Sequence, residues 1–186
     1  MNPANNSYRL LGVDPGTNLL GYAILEVSKG KLSVPDLGVL RLQQFDDHHL
    51  KLRHIHERLQ GIIRSFEPGT MAIEAPFFGK NVQSMLKLGR AQGVAIAAAI
   101  TMDLSVYEYA PRKIKQSITG KGNATKEQVA AMLEQILQLK LDQHTLDATD
   151  ALATALCHHY NQRSLSLNGK RYKDWADFAK NHKSGK

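Results

Sequence analysis

The chain has 186 residues, 42% of them apolar, and a formal net charge of +7 from 24 basic and 17 acidic side chains. That is enough apolar material for one sizeable core, and a second enzyme domain is not expected. No apolar run is long enough to span a bilayer, and the opening MNPANNSYRL has neither the basic start nor the apolar segment of a secretory signal, so a cytoplasmic protein is expected.

The charge is unevenly spread. Residues 1–79 hold eight basic and eight acidic side chains, 80–126 eight against two, 127–162 one against five, and 163–186 seven against two. Positive charge gathered in a middle stretch and a tail suits a polyanion. The acidic third stretch argues for a cation site inside that field.

Periodicity predicts strands near 8–13, 20–27 and 31–42, then a helix over 47–66 with Leu52, Ile55, Leu59, Ile62, Ile63 and Phe66 at helical spacing. A strand near 70–74, a long helix over 80–101 and a strand near 105–109 follow, and helices are expected near 111–118, 126–139 and 147–161. Three hairpin-linked strands followed by βα alternation imply an α/β fold, a mixed sheet flanked by helices. From Arg163 the composition turns to Ser, Asn, Gly and Lys, which separates a domain over 1–162 from a basic tail over 163–186. Within that tail Tyr172, Trp175 and Phe178 have the spacing of a short docking helix.

Four acids carry the chemistry. Asp14 stands in LLGVDPGT and Glu74 in TMAIEAPFF, each at the C-terminal end of a strand, where open α/β sheets place their sites. Asp147 and Asp150, in LDATDALATAL, are spaced i, i+3 and share one face at the start of a helix. Each acid also has an ordinary structural reading, as a turn residue, a strand end or a helix cap. Together they offer the hard oxygen donors that a pair of magnesium ions needs to cleave a phosphodiester.

The order VDPGT, IEAPFF, KLGRAQGVAIAAAI, LDATDALA resembles the RuvC family of Holliday-junction resolvases over about residues 8–160. The resemblance implies a ribonuclease-H-like five-stranded sheet and a homodimer that nicks four-way DNA junctions in pairs, in recombination and repair. It also implies two Mg2+ ions per subunit, with Mn2+ as the alternative, and cooperation with the RuvA–RuvB branch-migration motor. Asp14, Glu74, Asp147 and Asp150 take its four metal-ligand positions. In two-metal hydrolysis Asp14 would bridge the ions while the other acids complete their shells, and in-line attack by water would leave a 5′-phosphate and a 3′-hydroxyl.

Five further residues are candidates for DNA contact. Phe77 and Phe78 follow Ala75-Pro76 in a loop where an aromatic could stack on an unpaired base, and the resemblance gives Phe77 a junction contact. Thr125 and Gln128 have capping-box spacing, which puts Lys126 at the first helical position, where the macrodipole disfavours a cation. A residue set against its local preference suggests a phosphate partner elsewhere. Lys115 aligns with the family's other functional lysine, and Lys121 is an extra cation in the glycine-bearing loop.

Other groups read as structural. Cys157, the lone cysteine, is expected to pack a helix, and His158 and His159 are expected near a helix end, where imidazolium suits the dipole. His144 is near enough in sequence to Asp147 to reach the site. Two other functions remain open: a ribonuclease-H-like nuclease acting on RNA, and a catalytically silent junction-binding module. The VDPGT loop also resembles that of actin-like ATPases, but those need about twice this length and a second copy of the motif.

Overall fold

The computed structural model describes residues 7–76, 81–141 and 146–167, of which 146, 147 and 163–167 are described by their backbone alone. The elements are β1 (Tyr8–Asp14), β2 (Leu19–Ser28), β3 (Lys31–Arg41), α1 (His48–Phe66), β4 (Thr70–Glu74), α2 (Val82–Ile100), β5 (Ser105–Tyr109), α3 (Pro111–Thr119), α4 (Lys126–Leu137) and α5 (Leu146–Leu167). Their order in the five-stranded sheet is β3-β2-β1-β4-β5. The first three strands pair antiparallel, and β4 and β5 run parallel to β1.

Local chemistry accounts for the boundaries. Lys29 and Gly30 turn β2 into β3 with φ of 50° and 77°, the backbone that a tight two-residue hairpin requires. Asp47 caps α1 by accepting from the amides of His49 and Leu50. Gly120, at φ 75°, ends α3 in the left-handed conformation. Thr125 and Gln128 close the expected capping box on α4.

Side-chain alternation along the strands separates two cores, one on each face of the sheet. Leu11, Val13, Ile24, Met71 and Ile73 pack against Ile55 and Leu59 of α1 and Ala95 and Ala98 of α2. On the other face Leu10, Ala23 and Leu25 meet Ile114 of α3, Val129 and Leu133 of α4, and Leu152 and Leu156 of α5. Cys157 is fully buried in this second core, as expected.

Two expectations change. α5 continues to Leu167 instead of ending near residue 161, so helix extends past the composition break at Arg163. His158 and His159 are not dipole-favoured cations at a helix end, being 1% and 4% exposed. The Nδ1 atoms of His158 and His159 lie 2.7 Å from the hydroxyls of Tyr109 and Tyr8. Burial pushes the His158 imidazole below its ordinary range, so it serves the core in the neutral form.

Candidate active site

Asp14 ends β1 and Glu74 ends β4. The parallel register sets Val13 beside Ile73, so the next residue of each strand brings the two carboxylates out as neighbours on one rim. Both are even-numbered along their strands, which turns them to the face of Leu10 and away from the face of Val13 and Ile73. That is the face covered by α5.

The seating of α5 depends on Gly12. A Cβ at this position would run into the carbonyl oxygen of Ala151 and stand 2.9 Å from the Cβ of Ala155. With no side chain in the way, the first turns of α5 lie directly over β1 and carry Asp150 to the rim. An isolated glycine inside an apolar strand is the usual sign of such a close approach.

The charges of the three acids act on one another. Burial first, then the charge of Asp150, pushes the Asp14 carboxyl up to about 6, while Lys126 pulls it down. Glu74 rises to about 8 through burial and the charges of Asp14 and Asp150, opposed by Lys126 and Lys115. Near neutral pH two raised carboxyls facing a third acid ionise together more readily when positive charge is supplied.

Part of that charge comes from Lys126. Its Nζ donates to Oδ2 of Asp150 at 2.6 Å, reaching across from the first turn of α4. The cation that α4 disfavours locally is therefore held by the acidic rim. Lys115, half-buried on α3, also acts on Glu74. Lys121 lies on the loop between α3 and α4, and its charge is not among those that act on Asp14 or Glu74.

Asp147 stands one turn before Asp150 on α5, with its side chain outside the described residues. Phe77, Phe78 and His144 also lie outside them. The donor set consists of carboxylate oxygens, the ligand type that hard divalent cations prefer over imidazole or thiolate. Among the described residues no three His, Cys, Asp or Glu side chains stand close enough to hold an ion as they are, and the Lys126 ammonium sits on Asp150 in its place.

Residues 10–158 match the family of the crossover junction endodeoxyribonuclease RuvC. The chain belongs to the RuvC family. It is 53% identical over 171 residues to the RuvC of Cytophaga hutchinsonii, covering 92% of this chain and 84% of that protein. It is 52% identical over 173 residues to the RuvC of Porphyromonas gingivalis, covering 91% and 92%. Among solved structures, Thermus thermophilus RuvC in complex with a Holliday junction substrate superposes with a TM-score of 0.79 at 31% identity, covering 86% of this chain and 97% of that one. This RuvC-family chain is thus an endonuclease of a metal-dependent family with a ribonuclease-H-like fold. No helix among its described residues is long and apolar enough to cross a membrane.

Proposed function

We propose that this chain resolves four-way DNA junctions by paired, symmetric, metal-dependent nicks, in homologous recombination and repair. The observation that carries the reading is the convergence of Asp14, Glu74 and Asp150 on one rim, where burial and mutual repulsion raise the first two carboxyls. A rim of this kind gains most from a hard cation, and it stands in a chain whose family cuts crossover junctions.

Asp14, Glu74, Asp147 and Asp150 are the ligand set in this proposal, for two Mg2+ ions or Mn2+ in their stead. Bound there, divalent cations polarise the phosphodiester and lower the pKa of the attacking water. The chain's own residues do the rest. Asp14 and Glu74, fixed to a rigid sheet, set the site's position, and the Gly12 contact with α5 sets the distance to Asp150. Lys126 exchanges its Asp150 partner for the phosphate and stabilises the charge that develops as the bond breaks. Lys115, whose charge reaches Glu74, holds a neighbouring phosphate, and Lys121, Phe77 and Phe78 complete the DNA contacts. The products would carry a 5′-phosphate and a 3′-hydroxyl.

Two opposed nicks in a two-fold symmetric junction call for two copies of one site. The face that fits a second copy is the stripe of α2 formed by Val82, Leu86, Gly89, Gly93 and Ile100. Val82, Leu86 and Ile100 are 66%, 53% and 56% exposed, and a Cβ at either glycine would meet no atom within 4 Å. We further propose a nuclease domain over residues 1–162 with a basic tail over 163–186, a cytoplasmic location, and cooperation with the RuvA–RuvB motor.

The test is cleavage of an end-labelled synthetic junction beside linear duplex and an RNA–DNA hybrid, with and without Mg2+. Paired nicks confined to the junction, dependent on the metal and absent in Asp14→Asn, are the expected result. Cleavage of the hybrid alone would overturn the substrate, and binding without cleavage would make the chain a silent module.

A further inference from the structure

A second concentration of cations lies beside the acidic rim. A cleft of about 180 Å³ opens between the β1–β2 turn, the entry to α1 and the first turns of α2, with Lys51, Lys87 and His48 on its walls. Thr17, Asn18 and Ser84 add neutral polar groups, and Asp46 is its one acid among the described residues. Part of the wall follows the strands that end in Asp14 and Glu74, and the rest follows β3. Thr17 and Asn18 follow closely on Asp14, and the Asn18 carbonyl accepts from the amides of Leu42 and Gln43 at 2.8 and 3.2 Å, which ties this turn to the segment entering α1. On the far side Asn81 caps α2, accepting from the amide of Ser84, just after the strand of Glu74.

Asp46 opposes only part of the positive charge of the cleft. None of the ion pairs among the described residues involves Lys51, Lys87 or Arg90. Burial and then the charges of Arg90, Lys87, His49 and Lys51 hold the His48 imidazole below its ordinary range, with no carboxylate opposing them. The Nε2 atom of His48 is itself buried without a hydrogen-bond partner. An anion seated between Lys51 and Lys87 would give that atom a partner and the lysines a counter-charge. Among the described residues the walls offer donors and, apart from the imidazole, no ring on which a base could stack, so they suit the sugar-phosphate backbone better than a base.

We propose that this cleft binds one backbone phosphate of the DNA, away from the phosphodiester that is cut, and thereby sets the direction in which a junction arm leaves the site. The proposal rests on the junction-cutting function above and adds to it a specific anchoring point. Lys51 and Lys87 supply the charge, and Ser84, Thr17 and His48 supply hydrogen bonds that fix the phosphate in place.

The test compares the wild type with the Lys51→Gln/Lys87→Gln double variant. Both lysines lie at the surface, and equal melting curves would confirm that the variant folds. Junction binding is measured in Ca2+ across a salt series. The expected result is affinity weaker by roughly tenfold and a salt slope shallower by about 0.9, the value of one phosphate contact. Single-turnover cleavage at saturating junction should stay within about twofold. Junctions carrying one uncharged methylphosphonate, moved stepwise along each arm, locate the contact. One position away from the cut should weaken binding to the wild type and have no effect on the variant. Equal affinities and slopes, or no position that the variant silences, would overturn the cleft while leaving junction cleavage intact. A wild type that bound no junction would overturn both.

Discussion

Lys126 Nζ and Asp150 Oδ2 stand 2.6 Å apart, joining the first turn of α4 to the first turns of α5 across the acidic rim. The lysine side chain is 74% exposed and the aspartate 21%, so solvent screens the pair and its worth to stability is small, about 0–1 kcal/mol. Its importance lies in charge, since Lys126 opposes the rise of both Asp14 and Glu74. Lys126→Met should therefore melt within a few degrees of the wild type. Its cleavage rate at saturating metal should fall roughly 100-fold, the scale of losing one preorganised positive group at a developing charge. Junction affinity in Ca2+ should change far less, and Lys126→Arg should recover part of the rate.

Asp14 and Glu74 are held where their ionised forms are disfavoured, which is a cost to the metal-free fold. Asp14→Asn and Glu74→Gln remove that cost and the catalytic carboxylate together. Each should raise the metal-free melting temperature at pH 8, by roughly 2–4 °C for each kcal/mol recovered in a chain of this size. Each should also abolish detectable cleavage. A variant that was both destabilised and active would contradict the assignment of these acids to the site.

The same shifts fix the sign of the pH dependence. The folded-state values, about 6 for Asp14 and about 8 for Glu74, lie above the ordinary 3.8 and 4.5, so the folded protein binds these protons more tightly than the unfolded chain does. The stability they contribute is complete below about pH 4 and is lost as pH rises through 6 and then 8. Metal-free protein should accordingly lose melting temperature between pH 5 and 9, on top of whatever other groups contribute. Added Mg2+ should raise the melting temperature most at the alkaline end, where the acids are already ionised. Calorimetry with and without EDTA measures the difference, and the Asp14→Asn/Glu74→Gln double variant should show little of it.

Much of the fold was readable from local patterns, because strand alternation and the apolar stripe of α1 are short-range signals. The nearness of Asp14 and Glu74 at two strand ends was readable for the same reason, as was the locally unfavourable placement of Lys126, whose partner Asp150 is 24 residues away. What escaped was decided by distant contacts. Tyr8 and Tyr109 reach His159 and His158 across 151 and 49 residues, and no local rule identifies two adjacent helix histidines as neutral core groups. The Gly12 contact with Ala151 is of the same kind. The cleft of Lys51 and Lys87 joins α1 to α2, a meeting that no local pattern in either helix announces.

Gly12 should be among the least replaceable residues outside the acids. In Gly12→Ala the new methyl meets a backbone carbonyl, which cannot rotate away as a flexible side chain would, so α5 must shift off β1. The expected cost is about 1–3 kcal/mol in stability, the range for overpacking a close-packed contact. Because the displaced helix carries Asp150, cleavage should fall by more than the loss of folded protein explains. The comparison that separates the two effects is the rate per folded molecule at a temperature well below the melting transition. A variant that melted early but cut at the wild-type rate would show that the Gly12 contact serves the core alone.

The stripe on α2 supports a prediction that does not depend on the chemistry. Leu86 is 53% exposed one turn into an apolar row that runs from Val82 to Ile100, and Gly89 and Gly93 leave open space beside it. Leu86→Glu puts a charge into that row without touching either core. The folded chain should keep its melting temperature within about 1–2 °C as a monomer, since exposed substitutions of this kind cost little. Sedimentation at micromolar concentration should show a dimer for the wild type and a monomer for the variant. On a junction the variant should make single, uncoordinated nicks, because each active site would act alone. If the variant still sedimented as a dimer and made paired nicks, the second copy would have to dock on another face.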